Sequence, residues 1–297
     1  MSLKSSNDRR ELYYRREEFI LDFKYVVDNE EDPYLKKYFD LMSKSIGTHE
    51  EAFSSIIRGK SNPYALCFSR KKDNLTHWDR YADRCMGVAI GFDLGRLNDL
   101  DEKYKLMGFG RLFDTGQALY GQDDIRNFIR YRMTGALDIF LRGNTMAGGR
   151  NFERTIEEVG HILVGLTYNN AVKFAKMAQF SEEDEYRLYY DPSVIEDSSR
   201  LINRMKGEVD ENLHNNIRKH FKQLVIDLDI RDEKFTMTPR GIRGFHDLCL
   251  KKIWSSDIIP EIVLGPMCVQ NKYELKRFLK CNGLKGTKVT ESSVPIR

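Results

Sequence analysis

The chain has 297 residues, of which 41% are hydrophobic and 31% charged, with a net charge of +3. That is enough apolar material for a substantial core, which excludes a disordered chain, and too little net charge to argue nucleic-acid binding by itself. The five cysteines are scattered with no Cys-x-x-Cys, the six histidines show no His-x-x-x-His, and Met1–Arg10 has no apolar signal-peptide core. No structural zinc or other metal is therefore expected. The longest apolar stretches, His161–Tyr168 and Ile258–Leu264, are too short to cross a bilayer, so the reading is a reduced, soluble, cytoplasmic protein without a membrane partner.

Taken in order, Arg9–Asp28 shows helical spacing with Leu12, Phe19, Leu21 and Phe23 as burial candidates. Pro33 fits the first turn of a second helix running to Lys44, with Tyr34, Tyr38, Leu41 and Met42 at threes and fours. A third covers Glu50–Ile57. Tyr64–Ser69 is a short apolar strand after Asn62-Pro63, and Leu75–Arg84 a short helix with Trp78 and Tyr81 on one side. Gly87–Phe92 reads as a buried strand, Leu112–Tyr120 as an ambiguous one, and Asp123–Gln179 as helical with a break at Gly143–Gly149.

Phe180–Tyr190 follows. Read as a strand with period-two alternation, it puts Glu183, Glu185 and Arg187 on one face and Asp184, Tyr186 and Leu188 on the other. That row of two carboxylates and a guanidinium is either a solvated sheet face or the floor of a polar cleft. Ser198–Asp227 is too polar to assign. Phe235–Pro239 and Ile258–Val263 read as strands, the latter ending at Gly265-Pro266. Asn271-Lys-Tyr-Glu274 is a capping box opening a helix that stops at Asn282-Gly283, and a last strand covers Lys288–Thr290. The basic pairs Lys71-Lys72, Arg240/Arg243, Lys251-Lys252 and Lys285/Lys288 are spread out rather than gathered. With no repeat or low-complexity linker, the prediction is one α+β domain over 1–297. It has a mixed-sheet core, a helical N-terminal part at 1–60 and a helical insertion at 123–179.

Four segments carry a resemblance: Cys67-Phe-Ser-Arg-Lys-Lys-Asp-Asn-Leu-Thr-His-Trp-Asp-Arg-Tyr-Ala82 with Gly87–Asp93; Phe180-x-x-Glu-x-Glu-Tyr-Arg187; Ile259–Pro266; and Ser292/Ser293 with Val294–Arg297. In their order and spacing, over roughly 60–297, the chain resembles an uncharacterised bacterial family of unknown function, number 2971 in its series. Members open with a strand and a helix before an Asn-Asp…Glu element. Ser6-Asn7-Asp8-Arg-Arg-Glu11 resembles that element with almost nothing before it, so the expectation is a chain lacking the first strand.

A strand ending in Phe68-Ser69, an aromatic helix behind it and a late strand with Glu-x-Glu are together similar to ADP-ribosyltransferases. That resemblance implies an NAD site on three strands and transfer of ADP-ribose to a protein or nucleic-acid acceptor, in a toxin or defence setting. It makes Glu185 the catalytic carboxylate, which stabilises the cation growing on the ribose, and Glu183 its acceptor-side partner. Ser69 would shape the nicotinamide pocket, Trp78 or Tyr81 would supply aromatic surface, and Arg187 would counter the carboxylates or a phosphate.

Blander readings stand beside each role. The two glutamates suit a solvated strand face, Arg187 an ion pair, Ser69 a turn hydroxyl, and Trp78 and Tyr81 the core. Asp73 and Asn74 would simply cap the following helix. The competing function is a non-catalytic binding module whose Glu/Arg face and lysines recognise a protein or nucleic-acid partner. No dinucleotide fingerprint, phosphate-binding glycine loop or hydrolase elbow is present. A Cys67/His77 nucleophile pair and a metal nuclease built on Asp73, Asp93, Glu183 and Glu185 remain as minor alternatives.

Overall fold

The computed structural model describes residues 2–5, 15–57, 64–96, 113–146, 152–204, 206, 211–228, 233–238, 241–247 and 255–295. The protein is a mixed α+β molecule whose chain forms two compact units: Met1–Ser5, Asn62–Thr115 and Glu183–Arg297 in one, Ser6–Ser61 and Gly116–Glu182 in the other. The helical stretches expected at 1–60 and 123–179 therefore join in one unit.

In the helical unit, α1 (Arg16–Asp28), α2 (Pro33–Thr48) and α3 (Glu50–Ile57) pack with α5 (Gly121–Met146) and α6 (Phe152–Phe174). Asp32 starts α2 by accepting the backbone N–H groups of Tyr34 and Leu35 at 2.8 and 3.2 Å, with Pro33 in the first turn where its missing donor costs nothing. Phe19, Phe23, Phe39, Met42, Phe53, Ile129, Met133 and Ile156 form the core. Close contact is set by Gly160, where a Cβ would lie 2.9 Å from the Met42 Cα.

Two expected core residues are corrected here. Leu21 is 67% and Tyr34 46% exposed, because the buried face of α1 runs through Phe19, Phe23, Val26 and Val27, with Leu21 turned away. Leu12 and the start expected at Arg9 lie outside the described residues. The break expected from Gly143 is corrected, since α5 runs on to Met146; the rest of it, 147–149, lies outside the described residues. Two short strands, β5 (Leu119–Tyr120) and β6 (Ala175–Lys176), pair in parallel in this unit.

In the other unit, the sheet unit, a six-stranded sheet has the order β4 (Phe113–Gln117), β7 (Glu185–Tyr190), β2 (Tyr64–Ser69), β1 (Ser2–Ser5), β9 (Gly241–Asp247), β8 (Lys234–Thr238). The first strand is thus present. β1 pairs antiparallel with both β2 and β9, contrary to the expectation that it is missing. Four residues reading Ser-Leu-Lys-Ser hold one apolar side chain, too little alternation to mark a strand. The polar stretch left unassigned forms α7 (Ser193–Arg204) and α8 (Glu211–Leu228).

A three-stranded sheet, β11 (Lys288–Glu291), β10 (Glu261–Leu264), β3 (Val88–Gly91), completes this unit, with α4 (Leu75–Tyr81) and α9 (Lys272–Cys281). β10 and β11 run parallel, joined through α9, whose cap is Asn271 as expected. β3 is half-buried rather than buried, with Val88 and Ile90 exposed. Phe68 of β2 meets Phe92 edge-on at 5.5 Å and packs on the cluster of Ile259, Ile262, Leu279 and Val289. Gly265 marks a crossing where only glycine fits, since a Cβ would stand 2.4 Å from the Cys85 carbonyl oxygen.

The four segments that carry the family resemblance meet inside this unit. β2 pairs with β7, β3 with β10, and Ser292 and Ser293 return to Asp73.

Candidate functional site

Antiparallel pairing sets Ser69 opposite Glu185, Cys67 opposite Arg187 and Ala65 opposite Tyr189, so these six share one face of the sheet. Burial divides them. Glu185 and Arg187 are 4% and 2% exposed, whereas Ser69 and Cys67, nearer the end of β2, are exposed.

The expected single strand from Phe180 is corrected. Ala178–Glu183 forms a 3₁₀ turn, and Asp184, at φ +43°, bends the chain before β7 begins at Glu185. Aspartate tolerates that left-handed corner better than most residues. Alternation therefore fails at the corner, and Glu183 is not on the strand face with Glu185. Arg70 secures the bend: its Nε and Nη2 donate to Asp184 Oδ1 at 2.9 and 2.7 Å, and its backbone N–H donates to the Asp184 carbonyl at 3.0 Å.

Glu183 nevertheless returns to the same end of the sheet. The Ser69 hydroxyl donates to the Glu183 carbonyl at 2.9 Å and accepts the Lys71 N–H at 3.0 Å. Tyr81 O–H donates to Glu183 Oε1 at 2.9 Å, and Arg80 lies 3.9 Å from the same oxygen. A rim thus forms from Ser69, Tyr81 and Glu183, with Tyr81 68% exposed. His77, one turn from Tyr81, has its pKa lowered by burial, against the opposing pull of Glu183, which favours the neutral, proton-accepting imidazole.

Behind the rim lies a sealed pair. Arg187 Nε donates to Glu185 Oε1 at 2.8 Å, and Arg187 Nη1 donates to the Tyr189 hydroxyl at 3.2 Å. Burial works against the guanidinium charge, yet Tyr189 and Glu185 outweigh it and raise the Arg187 pKa above its ordinary value. Burial also pushes Tyr189 up to about 12, against the pull of Arg187, keeping the phenol protonated at neutral pH.

Trp78 does not join this site. It is 3% exposed in a cluster with Cys85 and Val263, and its indole N–H donates to Asp73 Oδ1 at 2.6 Å. The expected pairing of Trp78 and Tyr81 fails because α4 has seven residues, and Tyr81, its last, projects outward.

Asp73 does more than cap, and its role was not foreseen. Asn74 is the cap, accepting from the His77 N–H at 3.3 Å. Asp73 also accepts the Ser292 hydroxyl at 2.6 Å and the Ser293 N–H and hydroxyl at 2.7 and 2.9 Å. Burial raises its pKa, but these bonds and that from Trp78 win and hold it near 2. The signal for Asp73 was available only in the pairing of two distant polar segments, which local spacing does not reveal. Among the described residues, no group of three or more His, Cys, Asp or Glu side chains could hold a metal ion, and no helix is long and apolar enough to cross a membrane.

Chemically, the arrangement offers a rim carboxylate with a phenol donor, a hydroxyl in a turn, and a strand carboxylate held by a buried guanidinium. No curated protein and no solved structure matches the chain. Residues 77–188, from α4 to β7 and including the Glu183/Glu185 segment, match the family model described as "Protein of unknown function (DUF2971)".

Proposed function

We propose that the end of the sheet where β2 meets β7 is an NAD site that transfers ADP-ribose, on a fold related to the ADP-ribosyltransferases. The observation that carries this reading is the register. Ser69 and Glu185 are direct cross-strand partners, and Glu183 is tied to Ser69 at the rim. The neighbouring β1, in sheet order β7-β2-β1, pairs with Tyr64 and Ala65 at the other end of β2, so the reading rests on β2 and β7 alone.

In this reaction the bond between nicotinamide and ribose breaks and its electron pair leaves with nicotinamide. Positive charge grows on the ribose, and the Glu185 carboxylate stabilises it. An acceptor oxygen or nitrogen then bonds to the ribose carbon and gives its proton to Glu183. Tyr81 is the exposed aromatic of the site and takes the platform role, leaving Trp78 to the core. Arg187 orients Glu185 and balances its charge.

A second reading has its own observation. A carboxylate sealed with a guanidinium at 2.8 Å is well neutralised, which suits a non-catalytic module of the same fold that binds a protein or nucleic acid.

Labelled NAD discriminates the two. The parent should release nicotinamide, and Glu185→Gln should lower that rate at least about 100-fold. Glu183→Gln, which keeps an oxygen to accept the Tyr81 hydroxyl, should lose transfer to acceptor while keeping NAD hydrolysis. A folded parent that neither binds nor cleaves NAD overturns the transferase.

A further inference from the structure

The far edge of the sheet unit holds a different kind of surface. A concavity of about 510 Å³ is lined by Lys276 and Lys280 of α9, Lys285 of the following turn and Lys288 of β11, around Leu284 and Val289. No acidic residue lines it. Neighbouring cations are paired: Lys72 with Glu261 at 2.8 Å, Arg277 with Glu274 at 3.4 Å, Lys272 with Glu291 at 3.8 Å. Among the described residues none of the four lysines of the hollow makes a direct ion pair, although Lys288 stands across the strand from Glu261 and helps to lower its pKa. The lining hydroxyls are committed elsewhere, Thr287 to the Ile259 carbonyl at 2.7 Å and Thr290 to Glu261 at 2.8 Å.

Four like charges around one hollow repel each other, and the net charge of the whole chain is only +3, so their convergence is local. The negative C-terminal end of α9 explains Lys280, and in part Lys276. It does not explain Lys285, and Lys288 shares its acid, Glu261, with Lys72. An anion with several charges would relieve all four.

The helix adds a second element. Tyr273, Lys276, Arg277 and Lys280 fall at i, i+3, i+4 and i+7, one face of α9, opposite the apolar Leu275 and the buried Leu279. Tyr273 is 69% exposed, an aromatic surface in line with the lysines. Lysines beside an open aromatic ring are the two parts of a sequence-tolerant single-stranded nucleic-acid surface, with ammonium groups for phosphates and a ring for a base. An acidic peptide would satisfy the lysines and leave the ring unused.

We propose that this face binds single-stranded nucleic acid, Lys276, Lys280, Lys285 and Lys288 taking backbone phosphates and Tyr273 stacking on a base. This assignment is independent of any reaction with NAD.

Fluorescence anisotropy of a labelled oligothymidylate tests it, over about 50 to 200 mM salt. Four phosphate contacts give a slope of log affinity against log salt near −3, at about −0.7 per contact on a single strand. Lys276→Gln with Lys280→Gln should bring the slope to about −1.4. Tyr273→Ala should weaken binding about 5- to 100-fold and leave the slope unchanged. No binding at the lowest salt, or an unaltered slope in the double variant, overturns the proposal. Competition by polyglutamate as effective as by unlabelled oligonucleotide overturns it in favour of an acidic protein partner. Equal competition by pyrophosphate overturns it in favour of a small-anion site.

Discussion

Both units bury carboxylates against arginines, but in opposite ways. In the helical unit Arg126 Nε reaches Asp22 at 2.7 Å, and Arg130 grips Glu30 through two bonds of 2.7 and 2.9 Å. The acids are inside, while the Arg126 and Arg130 side chains keep 23% and 52% of their surface in solvent. In the sheet unit the side chains of Glu185 and Arg187 retain 5% and 3%. A pair with one wet partner costs little desolvation and works as a rim fastening; a pair with both partners dry loses the hydration of two ions and stands only on exact mutual satisfaction. The second kind is an expensive way to hold a sheet together, since apolar residues of similar volume would often do as well. It stands beside the rim of Ser69, Tyr81 and Glu183, at the end of the sheet proposed as the NAD site.

Breaking each pair sharpens the contrast. Arg187→Met takes the buried guanidinium from the Glu185 carboxylate and should destabilise the sheet unit by about 3–5 kcal/mol, whereas Arg187→Met with Glu185→Leu should recover most of that loss. Urea denaturation of the single and double variants measures both; a single variant as stable as the parent would contradict the sealed pair. Arg130→Met in the helical unit should cost less, about 1–2 kcal/mol, because the solvent-facing Arg130 head, once removed, leaves a space that water can enter to solvate the buried Glu30.

Next in size is Asp73→Ala, which strips the partner from the Trp78 indole and from the Ser293 N–H and should cost about 2–3 kcal/mol. Trp78 fluorescence should move to longer wavelength in that variant as water reaches the ring. The acid response draws on the same carboxylate. Asp73 sits near 2 in the fold against an ordinary 3.8, and Glu30 lies below its ordinary 4.5, held down chiefly by the Arg130 hydrogen bonds. Both pKa values are depressed on folding, so the unfolded chain binds more protons through this range. The stability they contribute is fully present above about pH 5 and declines as the solution is acidified, for Asp73 down to about pH 2. Thermal melts between those limits should show the decline, and Asp73→Asn should flatten the part that follows Trp78.

Much of this was legible in the residues. Tyr64–Ser69 forms its strand with the bounds read from the apolar run after Asn62-Pro63, and Asn271 caps its helix as its spacing required. Glu185, Glu183, Ser69 and Arg187 do gather at one end of one sheet. What escaped is instructive. Asp184 broke the alternation at a single residue, and one left-handed corner is invisible to periodicity. β1 is held by pairing on both edges rather than by its own side-chain pattern, and pairing is a non-local fact. α7 and α8 carry so many polar residues that their apolar stripe, with Ile202 and Phe221 inside, was diluted. The difference between Trp78 and Tyr81 depended on where a two-turn helix stopped.

The location of β1 also dictates an order of assembly during synthesis. Residues 2–5 lie against β9, whose last residue is Asp247, while every segment of the helical unit has been translated by Glu182. At about 5–20 residues per second several more seconds pass in which β1 can pair with β2 while β9, its other neighbour, is not yet translated. A ribosome-stalled chain long enough for residue 182 to clear the exit tunnel, but ending before β9 emerges, should therefore protect the helices from protease and leave residues 2–5 more open to cleavage than in the full chain.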